Sequence, residues 1–209
     1  MKESIAKDLL KIGAVFLRPN DPFTWASGIK SPIYCDNRLT LSYVDVRDNI
    51  EMSMAALIKE KFPDCEALFG TSTAGIAHAA IVAHLLCMPM GYVRSESKDH
   101  GRRSKIEGKV SRGQKVIVIE DLISTASSAI DVVNTLREEG ADVLAIVSIF
   151  TYDMKAALDR LSDADIENHS LTDLDALLKV ASENGYIEPG DVERIKAFRD
   201  DPSDESWIK

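Results

Sequence analysis

The chain has 209 residues, 45% of them hydrophobic, which is enough for one substantial core and predicts a single domain over 1–209. A formal charge of −9 argues against general binding to nucleic acid or anionic membranes; no run of eighteen apolar residues offers a membrane span, and the charged start MKESIAKDLL lacks a signal peptide's apolar region, so a cytoplasmic protein is expected. Cys35, Cys65 and Cys87 lie far apart without CxxC spacing, which fits neither a disulfide framework nor a zinc site and predicts reduced packing residues.

In SYVDVRDNIEMSMAALIKEKFP, Ser42 followed by Asp45 resembles a capping box, while Val46, Ile50, Met54, Leu57 and Ile58 keep one face apolar, so a helix closed by Pro63 is expected. Ala67 to Gly70 reads as a strand, TSTAGIAHAAIVAHLL as a turn entering a helix that runs to about Leu86, and Met90 to Val93 as a second strand. His78, on that helix, is expected to pack or face solvent rather than bind a ligand. From Arg94 to Lys115 there are eight Lys/Arg against three Asp/Glu, a net +5 that leaves −14 for the rest of the chain. Cations concentrated in one poorly apolar segment predict a surface loop that meets an anion and can close over it. Val116 to Ile119 and Val143 to Phe150 read as further strands, and Ala129 to Glu139 as a helix ended by Gly140. Apolar strands alternating with helices imply an α/β fold, a parallel twisted sheet with helices on both faces. Ligands of such sheets sit at the carboxyl ends of the strands.

One of those ends is VIVIEDLISTASSA, Val116 to Ala129. There is no GxxxxGK[ST] and no GxGxxG, so neither a Walker nor a dinucleotide site is available. The turn from Ser124 to Ser128 can still present backbone N–H groups and hydroxyls at a helix start, a cup sized for one phosphate. Glu120 and Asp121 would repel that phosphate; they suit vicinal ribose hydroxyls or a hydrated Mg²⁺, which together suggest a ribose 5-phosphate. The alternative is an ordinary strand end followed by a helix cap. TSTAGIAHA, Thr71 to Ala79, offers a second seat for an anion, with the same bland alternative.

Taken together, VIVIEDLISTASS, YVRSESKDHG and FTWASGIKSPIYCDNR resemble the signatures of bacterial orotate phosphoribosyltransferases of the Gram-positive form, with similarity from about Ile5 to about Asp191. The first motif alone marks phosphoribosyltransferases at large, including purine-salvage enzymes and non-catalytic regulators; the other two narrow it to orotate. The resemblance implies transfer of a 5-phosphoribosyl group from PRPP to orotate with Mg²⁺, giving orotidine 5′-monophosphate and pyrophosphate in pyrimidine synthesis. It implies a type I phosphoribosyltransferase fold in which residues 1–40 contribute a hood over the base and residues 94–109 a mobile lid. It also implies a homodimer in which each lid covers the partner's site.

Carried over by position, Glu120 and Asp121 hold the ribose hydroxyls and metal waters, and the PRPP site runs through Leu122, Ile123, Ser124, Thr125, Ala126, Ser127 and Ser128. Ser124 also meets orotate, and Arg94, Lys98 and His100 meet the pyrophosphate, with Lys98 and His100 joining the acid pair as catalytic groups. No strong direct protein ligand to the metal is implied. Four places depart from the family pattern. Ala126 and Ser127 stand where glycines are frequent, which costs about 1 kcal/mol if the backbone there needs positive φ. Ser95 replaces a second lysine, Ala26 a substrate-contacting lysine, and Tyr152 lies near where some members place an arginine for the orotate carboxylate. Arg38, in the DNR of the N-terminal motif, is the expected substitute cation. The rival expectations are a PRPP-binding regulator with RRSK as a nucleic-acid contact, or a purine phosphoribosyltransferase. The basic segment lacks aromatics for base stacking, which disfavours the first.

Overall fold

The computed structural model describes residues 1–25, 28–94 and 105–208. In chain order the elements are α1 (Lys2–Lys11), β1 (Val15–Leu17), β2 (Phe23–Thr24), β3 (Lys30–Ser31), β4 (Ile33–Cys35), a 3-10 turn (Asn37–Ser42), α2 (Val44–Lys61), β5 (Ala67–Thr71), α3 (Ala74–Leu86), β6 (Met90–Val93) and β7 (Ile106–Glu107). There follow β8 (Lys115–Ile123), α4 (Ser127–Glu138), β9 (Asp142–Thr151), α5 (Lys155–Asp163), β10 (Asn168–Asp173), α6 (Leu174–Glu183) and α7 (Pro189–Asp200). Six strands make one sheet in the order β10-β9-β8-β5-β6-β7, parallel except where β7 runs antiparallel to β6. This is the α/β class expected from the alternation of apolar strands and helices.

Burial on both faces explains the strand sequences. Val116 to Ile119 are fully buried in β8, with Ile117 and Ile119 in one apolar cluster and Val116 and Val118 in the other. Alternate side chains of a strand point to opposite faces, so a strand covered on both sides shows an unbroken apolar run. On one side α4 lays Ala129, Val132, Val133 and Leu136 onto the sheet. Each Val or Leu buried in this way contributes about 1.5–3 kcal/mol. On the other side α1, α2, α3, α6 and α7 supply the larger cluster, where Ile5, Leu9, Ile50, Met54 and Phe198 are buried. Gly75 lets α3 approach the sheet closely, since a Cβ there would lie 2.4 Å from the Ile119 carbonyl oxygen.

Four local expectations need correction. The capping box at Ser42 and Asp45 does not form: Ser42 ends the 3-10 turn, and α2 starts at Val44 behind Tyr43 with no side-chain cap. Cys87 is not a packing residue: it is exposed in the left-handed turn that ends α3, whereas Cys65 is buried and Cys35 half-buried. β8 does not stop at Ile119; its pairing with β9 continues through Glu120–Ser148, Leu122–Phe150 and Ile123–Thr151, past the last β5 pair, Gly70–Ile119. Finally, the basic segment is not all loop. Tyr92 and Val93 pair with Glu107 and Ile106, and Arg94 N–H donates to the Lys105 carbonyl at 2.9 Å, so both ends of the segment form a two-stranded stem. His78 is a packing residue, its Nδ1 2.5 Å from Glu51 Oε1 across α2 and α3; both side chains are buried, and burial raises the Glu51 pKa.

Candidate active site

The carboxyl end of β8 carries the acid pair. Glu120 is buried, and its Oε1 accepts from the Thr71 hydroxyl at 2.6 Å and from the Asp121 backbone N–H at 3.0 Å. Burial, and then the neighbouring Asp121 carboxylate, push Glu120 up to about 8. Asp121 is only half-buried. Its carbonyl accepts from Asn37 Nδ2 at 2.7 Å, a contact that ties the strand end to the 3-10 turn. Sequence reasoning offers Thr71 only as part of an anion seat, not as a partner of Glu120, and it does not single out Asn37. Their partners lie 49 and 84 positions away, and no local periodicity signals such pairs.

Beyond Ile123 the chain turns sharply into α4. Glu120 and the stretch from Leu122 to Ala129 line a small cup of about 40 Å³. Ala126 sits in the left-handed region at φ 62°, where alanine costs about 1 kcal/mol relative to glycine. Ser127, by contrast, is the first residue of α4, so the expected departure from glycine matters at Ala126 alone. Arg160 of α5 donates to the Thr125 carbonyl at 3.0 Å and braces the turn from outside. The N–H groups of the first turn of α4 have no intrahelical acceptor, and with the helix dipole they favour an anion in the cup.

Two larger cavities adjoin the cup. One, of about 490 Å³, is lined by Thr71, Ser72, Arg94, Lys105 and Ser128, with further residues of α4. Arg94 pairs with Glu107 at 3.4 Å, and Ser72 Oγ donates to the Val93 carbonyl at 2.5 Å, joining the loop after β5 to the stem of the basic segment. The other cavity, of about 450 Å³, is lined by Phe23, Thr24, Trp25, Tyr34, Cys35, Leu122, Ser124 and Tyr152. Leu122 and Ser124 therefore border both this apolar cavity and the cup. Above that cavity stand two short antiparallel pairs, β1 with β4 and β2 with β3.

The structure places Glu120, Asp121 and the run from Leu122 to Ser128 together at the end of β8, with Arg94, at the end of the two-stranded stem, lining the adjoining cavity that Ser128 also borders. Arg38 does not line the apolar cavity. Its side chain is largely exposed and forks onto Asp36 at 2.6 and 2.7 Å, because the tight turn after β4 places the two residues side by side. Tyr152 is buried against that cavity, and burial holds its hydroxyl well above the usual tyrosine pKa. Lys98, His100, Ser95 and Ala26 lie outside the described residues.

Residues 42–175 match the model of the phosphoribosyl transferase domain family. The orotate phosphoribosyltransferase of Bacillus anthracis is 56% identical over 208 residues, covering 100% of this chain and 99% of that relative, and that of Bacillus cereus strain ATCC 10987 is similar to the same degree. Among solved structures, the orotate phosphoribosyltransferase of Aeropyrum pernix aligns with a TM-score of 0.75 at 27% identity, over 88% of this chain and 99% of that one. The UMP synthase of Leishmania donovani shares the fold, with a TM-score of 0.80 at 24% identity over 94% of this chain and 42% of that one. An acid pair at a strand end, a phosphate-sized cup and full-length relatives of one name agree: the chain belongs to the orotate phosphoribosyltransferase family.

Proposed function

We infer that this chain transfers the 5-phosphoribosyl group of PRPP to orotate, giving orotidine 5′-monophosphate and pyrophosphate in pyrimidine biosynthesis. The observation that carries this reading is the junction at Leu122 and Ser124, where an apolar, aromatic-lined cavity meets a phosphate-sized cup beside two carboxylates. A planar base suits the cavity, a 5-phosphate suits the N–H groups and hydroxyls of Ser124 to Ser128, and ribose hydroxyls suit Glu120 and Asp121.

The bond from the ribose anomeric carbon to pyrophosphate breaks as the orotate ring nitrogen bonds to that carbon, and the ring N–H proton is released to water or to the departing pyrophosphate. Positive charge builds on the sugar ring, in an oxocarbenium-like state related to that of glycoside transfer, and a carboxylate beside it lowers its energy. Negative charge builds on the departing pyrophosphate, to which Arg94, Lys98 and His100 offer cations. Orotate is an anion with an acidic ring N–H, so positioning and electrostatics carry most of the rate. The donor set fits a hydrated Mg²⁺: Asp121 is half-exposed beside the cup, and among the described residues no group of three His, Cys, Asp or Glu forms a closed cage. Mg²⁺ bound to substrate oxygens and water would neutralise pyrophosphate charge. We further propose a cytoplasmic homodimer whose lids are exchanged between subunits. The +5 segment on its two-stranded stem supports a lid, and among the described residues no helix is long and apolar enough to cross a membrane.

The test is to supply purified protein with Mg²⁺ and PRPP and to assay orotate, hypoxanthine and uracil side by side. Orotate absorbance should fall as pyrophosphate is released; turnover of hypoxanthine with none of orotate would overturn the reading.

A further inference from the structure

The acidic segment after α7 has no part in the site described above, yet it carries a buried tryptophan. Trp207 is 4% exposed, and it is held in two ways. Its carbonyl accepts from Arg194 Nε at 2.9 Å. The same guanidinium donates through Nη1 to Asn20 Oδ1 at 2.7 Å and Asp191 Oδ1 at 2.8 Å, and through Nη2 to the Pro19 carbonyl at 2.6 Å. One buried, charge-paired arginine thus clamps the C-terminal segment and α7 to the loop between β1 and β2, and a buried arginine with its donors satisfied in this way has little freedom to move.

The tryptophan ring itself begins a run of aromatic contacts. Trp207 meets Phe198 of α7 with centroids 5.7 Å apart, and Phe198 meets Trp25 edge-on at 5.6 Å. Trp25 meets Tyr152 at 6.0 Å. Trp25 and Tyr152 both line the apolar cavity under the hood. The Trp25 backbone is held, its N–H donating to the Ile29 carbonyl at 2.9 Å and its carbonyl accepting from Gly28 N–H at 2.8 Å, but the side chain has one long polar contact, from the indole N–H to the Ile33 carbonyl at 3.4 Å. Phe198, fully buried and backed by Trp207, is the wall that sets where Trp25 stands.

We propose that Trp207 and Arg194 are positioning residues for base recognition, with the C-terminal segment setting the width of the base cavity through Phe198 and Trp25. This rests on the orotate reading of that cavity. The segment touches neither the cup nor the acid pair, so its influence falls on orotate and spares PRPP.

The experiment compares wild type with Trp207→Leu, which keeps apolar burial but removes the ring edge, and with Trp207→Phe, which restores an edge. Because the Trp207 indole N–H finds no acceptor among the described residues, Trp207→Phe gives up no hydrogen bond. Trp207→Leu should raise KM for orotate about fivefold or more while KM for PRPP stays within about twofold, and Trp207→Phe should recover most of the difference. Arg194→Lys, which keeps the charge but loses the fork, should show the same split. Equal changes in both KM values, or none in either variant, would overturn the proposal. Wild type that fails to turn over orotate at all would instead overturn the functional reading beneath it.

Discussion

The cup under α4 and the cavity under the hood adjoin one another but are assembled in opposite ways. The cup comes from one strand, one turn and one helix, from Glu120 to Ala129, consecutive in sequence. The apolar cavity gathers residues 23–25, 34–35, 122, 124 and 152, and the ring behind Trp25 comes from residue 198. The difference follows from what each must do. A phosphate is bound by backbone N–H groups that any tight turn into a helix supplies, so a local segment suffices. A flat base needs walls on several sides, and side chains from one segment cannot enclose it. Changes near the cup should therefore act on the chemical step and the sugar, whereas changes around the hood should act on the base.

The largest effect is expected at Asp121. Asp121→Asn keeps the shape and removes the charge, and should lower kcat by about 10–1000-fold, equivalent to roughly 1.4–4 kcal/mol of transition-state stabilisation. Circular dichroism should show the fold retained; full turnover in the folded variant would reduce the acid pair to an ordinary strand end.

Next in size is complementation between subunits. Lys98→Ala and Asp121→Asn should each be nearly inactive alone, and mixing them with subunit exchange should restore activity, because a mixed dimer has one site with an intact lid and an intact acid pair. About half the dimers are mixed and each has one good site, so the ceiling is about a quarter of wild type for a two-fold dimer. A mixture no more active than its parents, with exchange confirmed by mass spectrometry, would assign each lid to its own subunit.

Much of the cup was legible in the sequence, and little of the cavity was. The unbroken apolar run of β8, the hydroxyl-rich turn and the apolar face of α4 are local patterns. Even there the end of β8 was set too early, because two carboxylates look like the end of a strand although backbone pairing to β9 continues beneath them. Under the hood, strands of two and three residues carry no periodicity, and Trp25, Tyr152 and Phe198 meet only in the folded chain. The cation expected from the DNR motif illustrates the same limit. Asn37 donates to the Asp121 carbonyl while the Arg38 fork is taken up by Asp36, an arrangement set by the direction of the 3-10 turn.

A pH profile sharpens the comparison, because Glu120 belongs to the cup side alone. Its folded pKa of about 8 lies above the usual carboxylate value of 4.5, so between those limits the folded state binds more protons than the unfolded state. Stability contributed by the protonated form is fully present below about 4.5 and is lost as pH rises through about 8. Activity should move the other way, with kcat/KM for PRPP rising through a pKa near 8 as the carboxylate gains its charge. Glu120→Gln should flatten both curves, which urea titrations and initial rates from pH 5 to pH 9 would follow; slopes that persist in the variant would assign them to another group.

The smallest effect is expected at Thr71. Its hydroxyl donates to Glu120 and holds that carboxyl below where burial alone would put it. Thr71→Val should cost about 1 kcal/mol of stability and move the rise in activity to higher pH. An unmoved profile would mean that the hydroxyl does not tune the acid.

The most direct test of the central claim is a crystal structure with ribose 5-phosphate bound. The phosphate should lie in the cup, within hydrogen-bond reach of the N–H groups of residues 125–128, and the vicinal hydroxyls should meet the Glu120 and Asp121 carboxylates. A phosphate seated instead against Arg94 and Lys105 in the larger polar cavity, with the acid pair untouched, would contradict the account.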